Sequence, residues 1–314
     1  MVDKIYLQSR KTDKHDEHEL PELYLKGFSE KIYSIPSVWI FERKRPFNQD
    51  LRYPPTNPFP VSTVKATVTK ERYAIINEDG SVNSNTYEDS LQVQETTRDP
   101  ILRKIREQQL ITQAEKDSFS GYIQIMMKRT TRREIRFSKI QDTYWKDRAK
   151  EFNQTAFHHA ISGHFAAARR LYRLNKFIEA GVLKDRVFRA SMLIDYKELH
   201  RRLVNLTWSF YIAPLGSYFV TSDDPVLLLG KIGELPVIFP ISSEIAVIIA
   251  DSNRPDLGYI QCTQDQVRVI NFLIIIKAEQ VISSKPDKWI YDIWENGIVL
   301  NQVQLDFLHR ILGS

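Results

Sequence analysis

A single cysteine, Cys262, stands among 314 residues, so no intrachain disulfide can form, and a reducing, cytoplasmic setting is expected. One cysteine also rules out a CxxC pair, and the 11 glycines never fall into a Walker loop, a Rossmann fingerprint or a Gly-x-Ser-x-Gly elbow. The common zinc, nucleotide and hydrolase signatures therefore give no guide to function. Long apolar runs are missing too. The stretch Val267 to Ile276 is interrupted by Arg268 and Asn271 and falls short of the roughly 18 residues a membrane span needs, so no membrane partner is expected. Met1-Val-Asp-Lys-Ile5 shows no basic segment leading into an apolar run, and no leader is expected. Nor does one sign of charge dominate: 44 basic against 39 acidic residues give a formal charge of +5, a modest lean toward anionic partners.

What is present is enough apolar material, 42% of the chain, to bury a sizeable core. A polar lead-in over 1–14 precedes one α+β domain over 15–314, in which a helical middle region, about 87–205, packs with an antiparallel sheet. That sheet is expected mainly from 206–250, with N-terminal strands near 38–42 and 63–68 joining it. Five prolines between Pro46 and Pro60 make the intervening segment a loop. Arg72 to Ile76 is a further strand candidate, followed by a turn at Asn77-Glu-Asp-Gly80.

In the helical region Asp99-Pro100 has the chemistry to begin a new helix or kink the one before it. Glu88 and Glu95 lie seven apart with Leu91 between them, which puts both carboxylates on one face. Thr112-Gln-Ala-Glu115 is a capping box, and the helix it opens ends in a basic cluster in which Arg129, Arg132, Arg133 and Arg136 share a face. Arg169, Arg170, Arg173 and Lys176 repeat the theme on a later helix. Such stripes hold phosphates by releasing their counterions, although cations also favour helix C-termini for their own sake. His158, His159 and His164 have no acids or cysteines at a known ligand spacing and are expected to pack or face solvent.

Tyr218-Phe-Val-Thr-Ser-Asp-Asp-Pro225 runs from strand formers into turn chemistry and so holds Ser222, Asp223 and Asp224 at a strand end. Strand ends commonly present chemistry, and an ordinary Asx turn has the same composition. Near the start, Pro21 opens a short helix with Leu20, Leu23, Tyr24 and Phe28 as its apolar stripe, and His18 precedes it, placed to act as base or ligand. Asn271, in an apolar helix, either braces a backbone turn or points into a site.

Taken together, His18-x-x-Pro21-x-x-Tyr24-Leu25-x-x-Phe28, the Tyr73 segment, Glu88, Glu95, Gln124, Arg129, Thr221-Ser-Asp-x-Pro225, Pro240 and Asn271 resemble, in order and spacing, the mostly bacterial domain-of-unknown-function family 4238. The resemblance spans about 15–285, and the chain departs from the family where Asp224 stands in place of a common asparagine. It implies a polar pocket and no particular reaction. On that basis His18, Glu95 and Asp223 are candidate catalytic groups, with Glu95 and Asp223 holding a divalent cation such as magnesium and Arg129 neutralising phosphate. Gln124, Ser222 and Asn271 join Arg129 as substrate contacts, and His18, Glu95, Arg129 and Asp223 are expected in one pocket. The function expected is a metal-dependent phosphodiesterase or nuclease of a bacterial defence type. The alternatives are a non-catalytic nucleotide- or nucleic-acid-binding protein and a regulatory protein whose polar cluster is structural.

Overall fold

The computed structural model describes residues 16–43, 58–70, 75–76, 82–83, 85–179, 196–229, 236–250 and 258–312. The lead-in, most of the proline-rich loop and the turn at 77–80 lie outside these. In chain order the elements begin with β1 (Asp16–His18), α1 (Glu22–Leu25), β2 (Glu30–Ile32), β3 (Ile35–Glu42), β4 (Phe59–Ser62), β5 (Val68–Lys70), β6 (Ile75–Ile76) and β7 (Val82–Asn83). The helices α2 (Asn85–Arg106), α3 (Gln113–Lys128), α4 (Thr131–Ile161), α5 (Phe165–Glu179) and α6 (Lys197–Asn205) follow. Then come β8 (Thr207–Ile212), β9 (Thr221–Ser222), β10 (Leu227–Leu228), β11 (Val237–Pro240), β12 (Ile245–Ala250) and β13 (Gly258–Gln261). The chain closes with α7 (Gln264–Ile275), β14 (Gln280–Ser283), α8 (Trp289–Asn296) and α9 (Gln302–Leu312). The fold class is α+β.

The chain divides into two compact units. The first comprises Met1–Glu17, Thr69–Gln92 and Thr131–Ile194, and its main feature is a hairpin of α4 and α5. Gly163 makes the turn at φ +77, a left-handed conformation that a side chain would oppose, and His164 N–H closes back on the His159 carbonyl at 2.8 Å. Across the hairpin the Asn175 amide donates to Asn153 Oδ1 at 2.9 Å.

The second unit comprises His18–Val68, Val93–Thr130 and Asp195–Ser314. One sheet runs β10-β11-β12-β8-β13, antiparallel except that β13 lies parallel to β8. Its central strands are apolar at nearly every position because both faces are covered. Ile245, Val247 and Ile249 of β12 join Tyr24, Phe28, Phe119, Tyr122 and Trp208 in one core. Their neighbours Ala246 and Ile248 join Val269, Ile270 and Ile274 of α7 in another. The two-residue period of a strand thus divides one sequence between two cores.

The N-terminal strands do not extend this sheet, contrary to expectation. They form a second one, β2-β3-β14-β9 with β4 against β3, so the Thr221-Ser222 strand pairs with β14. The strand expected over 63–68 falls instead at β4, where Pro60 is tolerated because β4 pairs with β3 alone. α2 contains Pro100 within its length, so no new helix begins there. One further expectation is corrected: the helix opened by Thr112 stops at Lys128, so Arg129 is its C-cap and Arg132, Arg133 and Arg136 belong to α4.

α1 and the 3₁₀ turn after it seat the first motif on this unit. Leu20, Tyr24, Leu25 and Phe28 are all fully buried. The Arg106 guanidinium reaches across to donate to the carbonyls of Leu23 at 3.1 Å, Tyr24 at 2.9 Å and Ile241 at 3.2 Å. It passes directly over Gly27, where an added Cβ would meet the guanidinium and lie 2.7 Å from the Ile241 carbonyl oxygen. Gly27→Ala is therefore expected to cost about 2 kcal/mol in urea unfolding, because the Ile241 backbone cannot retreat as a side chain would. Unchanged stability would show that the passage is looser than this.

Candidate functional site

The sequence candidates that fall among the described side chains all lie in the second unit, apart from those on α5. Arg129, at the end of α3, is 1% exposed and forms an ion pair with the Glu95 carboxylate on α2. Its other terminal nitrogen donates to the backbone carbonyl of His18. A buried cation is tolerable only with such partners, and here one carboxylate and one carbonyl supply them. The His18 ring places Nδ1 3.2 Å from the Ala66 carbonyl oxygen. Glu95, Arg129 and the His18 backbone thus form one cluster.

Asp223 follows β9 and fastens to β14. Its N–H donates to the Gln280 carbonyl at 3.0 Å, and its Oδ1 accepts from the Glu279 and Gln280 amides, each at 3.2 Å. Its carboxyl is raised to about 6, by burial above all and also by the negative charges of Asp224 and Glu19, against the pull of the two amides. Glu19 follows His18 in sequence, so the first motif and Asp223 share an electrostatic neighbourhood. Ser222 closes a local turn, its hydroxyl donating to the Asp224 carbonyl at 3.0 Å and accepting from the Asp224 amide at 3.2 Å.

Two other candidates sit elsewhere and brace backbone. Asn271 Oδ1 accepts from Val220 N–H at 3.0 Å while its Nδ2 donates to the Tyr218 carbonyl at 2.8 Å, the first of the two roles its sequence context allowed. Gln124 is fully buried; its Oε1 accepts from Tyr196 N–H at 2.8 Å and its Nε2 meets His200 Nδ1 at 3.2 Å. The His200 ring in turn places Nε2 3.0 Å from Asp117, which joins α3 to α6.

The two motifs meet through Tyr24, Thr221 and Pro240, to which the sequence assigned no site role. The Tyr24 hydroxyl donates to the Pro240 carbonyl at 2.8 Å, leaving Thr221 Oγ1, 2.7 Å away, to donate to the Tyr24 oxygen. Burial holds the Tyr24 phenol well above its ordinary pKa, so it remains a donor. Arg106 was missed altogether; the one available signal was a glycine, Gly27, inside an apolar helical turn. Among the described residues no group of three or more His, Cys, Asp or Glu side chains could hold a metal ion, and the Glu95 carboxylate already faces a guanidinium. Arg169, Arg170 and Arg173 are exposed on α5, while the side chains of Arg132, Arg133 and Arg136 lie outside the described set.

A model of a family described as a protein of unknown function, DUF4238, matches residues 17–288. The chain belongs to this family. No curated protein and no solved structure matches it.

The Asp223 environment sets a pH dependence. Its folded pKa of about 6 lies above the ordinary 3.8, so the folded state holds this proton more tightly than the unfolded one. The contribution is therefore fully present below pH 3.8 and is lost as pH rises through about 6, a loss of roughly 3 kcal/mol. Asp223→Asn keeps the acceptor for the two amides and removes the titration. In urea unfolding between pH 4 and 7, its stability relative to the parent is expected to rise with pH. Parallel curves would mean that Asp223 titrates normally.

Proposed function

We propose that the protein binds single-stranded nucleic acid through the outward face of α5. The observation that carries this is one helical face on which exposed aromatics alternate with cations: Phe165 (69% exposed), Arg169, Tyr172 (56% exposed), Arg173 and Lys176. At 100° per residue these five positions fall within about a third of the helix circumference. Glu179 is the one acid on the helix. The Lys176 ammonium lies 5.6 Å from the centre of the Tyr172 ring, so cation and ring already associate. Cations that track a phosphate backbone together with rings on which bases stack are the two parts of a single-strand site. Arg170 adds charge beside this face, and Arg132, Arg133 and Arg136 add to the reading by sequence. In the second unit Glu95, Arg129, Gln124, Ser222 and Asn271 have structural partners, which favours binding over chemistry.

A second reading, hydrolysis of a phosphodiester, rests on Asp223. A carboxyl pushed up to about 6 can act as acid or base near neutrality, and Glu19 ties its surroundings to His18. Loss of cleavage of DNA or RNA in Asp223→Asn, with binding retained, would support it.

Binding is tested by fluorescence anisotropy with a labelled single-stranded oligonucleotide across a salt series. Arg169→Glu with Arg173→Glu should weaken binding and lower the slope of log affinity against log salt by about 1.4, from about 0.7 per lost phosphate contact. Tyr172→Ala should weaken binding at every salt concentration by about 1–3 kcal/mol with the slope unchanged. Equal affinity of all three proteins would assign the stripe to solubility.

A further inference from the structure

A separate cleft of about 510 Å³ opens in the second unit between α7, α8 and the loop at Gly216–Tyr218, within the ~300–1,000 Å³ range of small-molecule sites. Its apolar part is Val267, Ile293, Ile298 and the Trp289 indole. Beside these, the Tyr218 and Trp289 rings stand 6.2 Å apart at 53° and form a corner. Hydrogen bonds hold that corner: Trp289 Nε1 donates to the Tyr218 oxygen at 3.1 Å, and the Tyr218 hydroxyl donates to Asp287 at 2.5 Å. The corner is thus fixed before any ligand arrives, which lowers the ordering cost of binding.

The charges around the cleft are of both signs. Arg268 on α7 and Asp292 on α8 both line it. Neither has a hydrogen bond or ion pair with any described residue, including the other. An exposed charge alone says little, since charges on a surface are ordinarily solvated. A guanidinium and a carboxylate that line one cavity without pairing with each other, beside apolar side chains, are instead complementary to a molecule that carries an anion, a cation and a hydrocarbon body. Nearby, the Lys285 ammonium lies 5.3 Å from the centre of the Tyr218 ring, an internal instance of the cation–ring contact that this corner offers.

We propose that this cleft binds a free α-amino acid with an apolar side chain, its ammonium at Asp292, its carboxylate at Arg268 and its side chain against Val267, Ile293 and Trp289. Arg268 can present a forked pair of donors to the carboxylate, and the ring corner favours an aromatic or branched body over a polar one. The site is independent of the nucleic-acid face on α5.

The test is isothermal titration of the full-length protein with phenylalanine, with phenylalaninamide, which lacks the carboxylate, and with N-acetylphenylalanine, which lacks the ammonium. Phenylalanine is expected to bind saturably at millimolar concentration or below with one site per chain, and each derivative at least about tenfold more weakly. Arg268→Gln should abolish the preference over the amide and leave the preference over the N-acetyl compound; Asp292→Asn should do the reverse. Both side chains are exposed and unpaired, so neither change should disturb folding. The absence of saturable binding by phenylalanine, leucine and tryptophan would overturn the proposal. So would an amide that binds as tightly as the parent amino acid, which would mark a site for organic cations, or two variants that keep both preferences.

Discussion

One phenol joins the two sheets of the larger unit. Tyr24 rises from a four-residue helix, is fully buried, and shares its hydroxyl between Thr221 in one sheet and the Pro240 carbonyl in the other. The arrangement is ordered in its protons. Tyr24 must donate to the carbonyl, which cannot donate in return, so Thr221 must donate to Tyr24. Replacing either hydroxyl strands a buried polar group, and such a loss exceeds what a surface hydrogen bond contributes. Arg106 closes the same joint from above by taking up carbonyls from the helical turn and from the loop after β11.

Three of the polar candidate residues serve backbone groups at places where a sheet ladder or a helix stops. The stretch before β9 has Asn271 in place of a neighbouring strand, the approach to α6 has Gln124, and the amides of Glu279 and Gln280 have the Asp223 carboxylate. Every buried N–H must find an acceptor, and a side chain supplies it where the ladder ends. Asn271, Gln124 and Asp223 therefore have a role in folding that calls for no ligand. Of the surfaces that suit ligands, the α5 face carries none of these three residues, whereas the cleft beside α7 is lined in part by Asn271.

Local chemistry was legible in the sequence. The Thr112 capping box forms as written, its hydroxyl accepting from the Glu115 amide. The turn at Ser222 and the helical turn after Pro21 follow the same way, because their causes lie within a few residues, whereas the strand expected from Tyr218 shortens to Thr221–Ser222. Long-range pairing was not legible. β3 and β14 meet across more than 200 positions, and their apolar patterns would serve equally well in either sheet. Arg129 shows the limit most sharply. Its spacing from Arg132, Arg133 and Arg136 suggested one cationic face, yet the helix ends at Lys128 and turns Arg129 toward Glu95, a partner no local pattern announces. For Asn271 the sequence left two roles open, and the structure shows it bracing Tyr218 and Val220 while also lining the cleft beside α7.

A double-mutant cycle over Tyr24→Phe and Thr221→Val, read as unfolding free energy in urea, tests most directly whether the hydroxyl pair couples the two sheets. The account predicts that each change is destabilising and that the pair together costs less than the sum by roughly 1 kcal/mol, because the second removal no longer strands a partner. Strict additivity would contradict it, since it would show that the two motifs lie side by side without depending on one another.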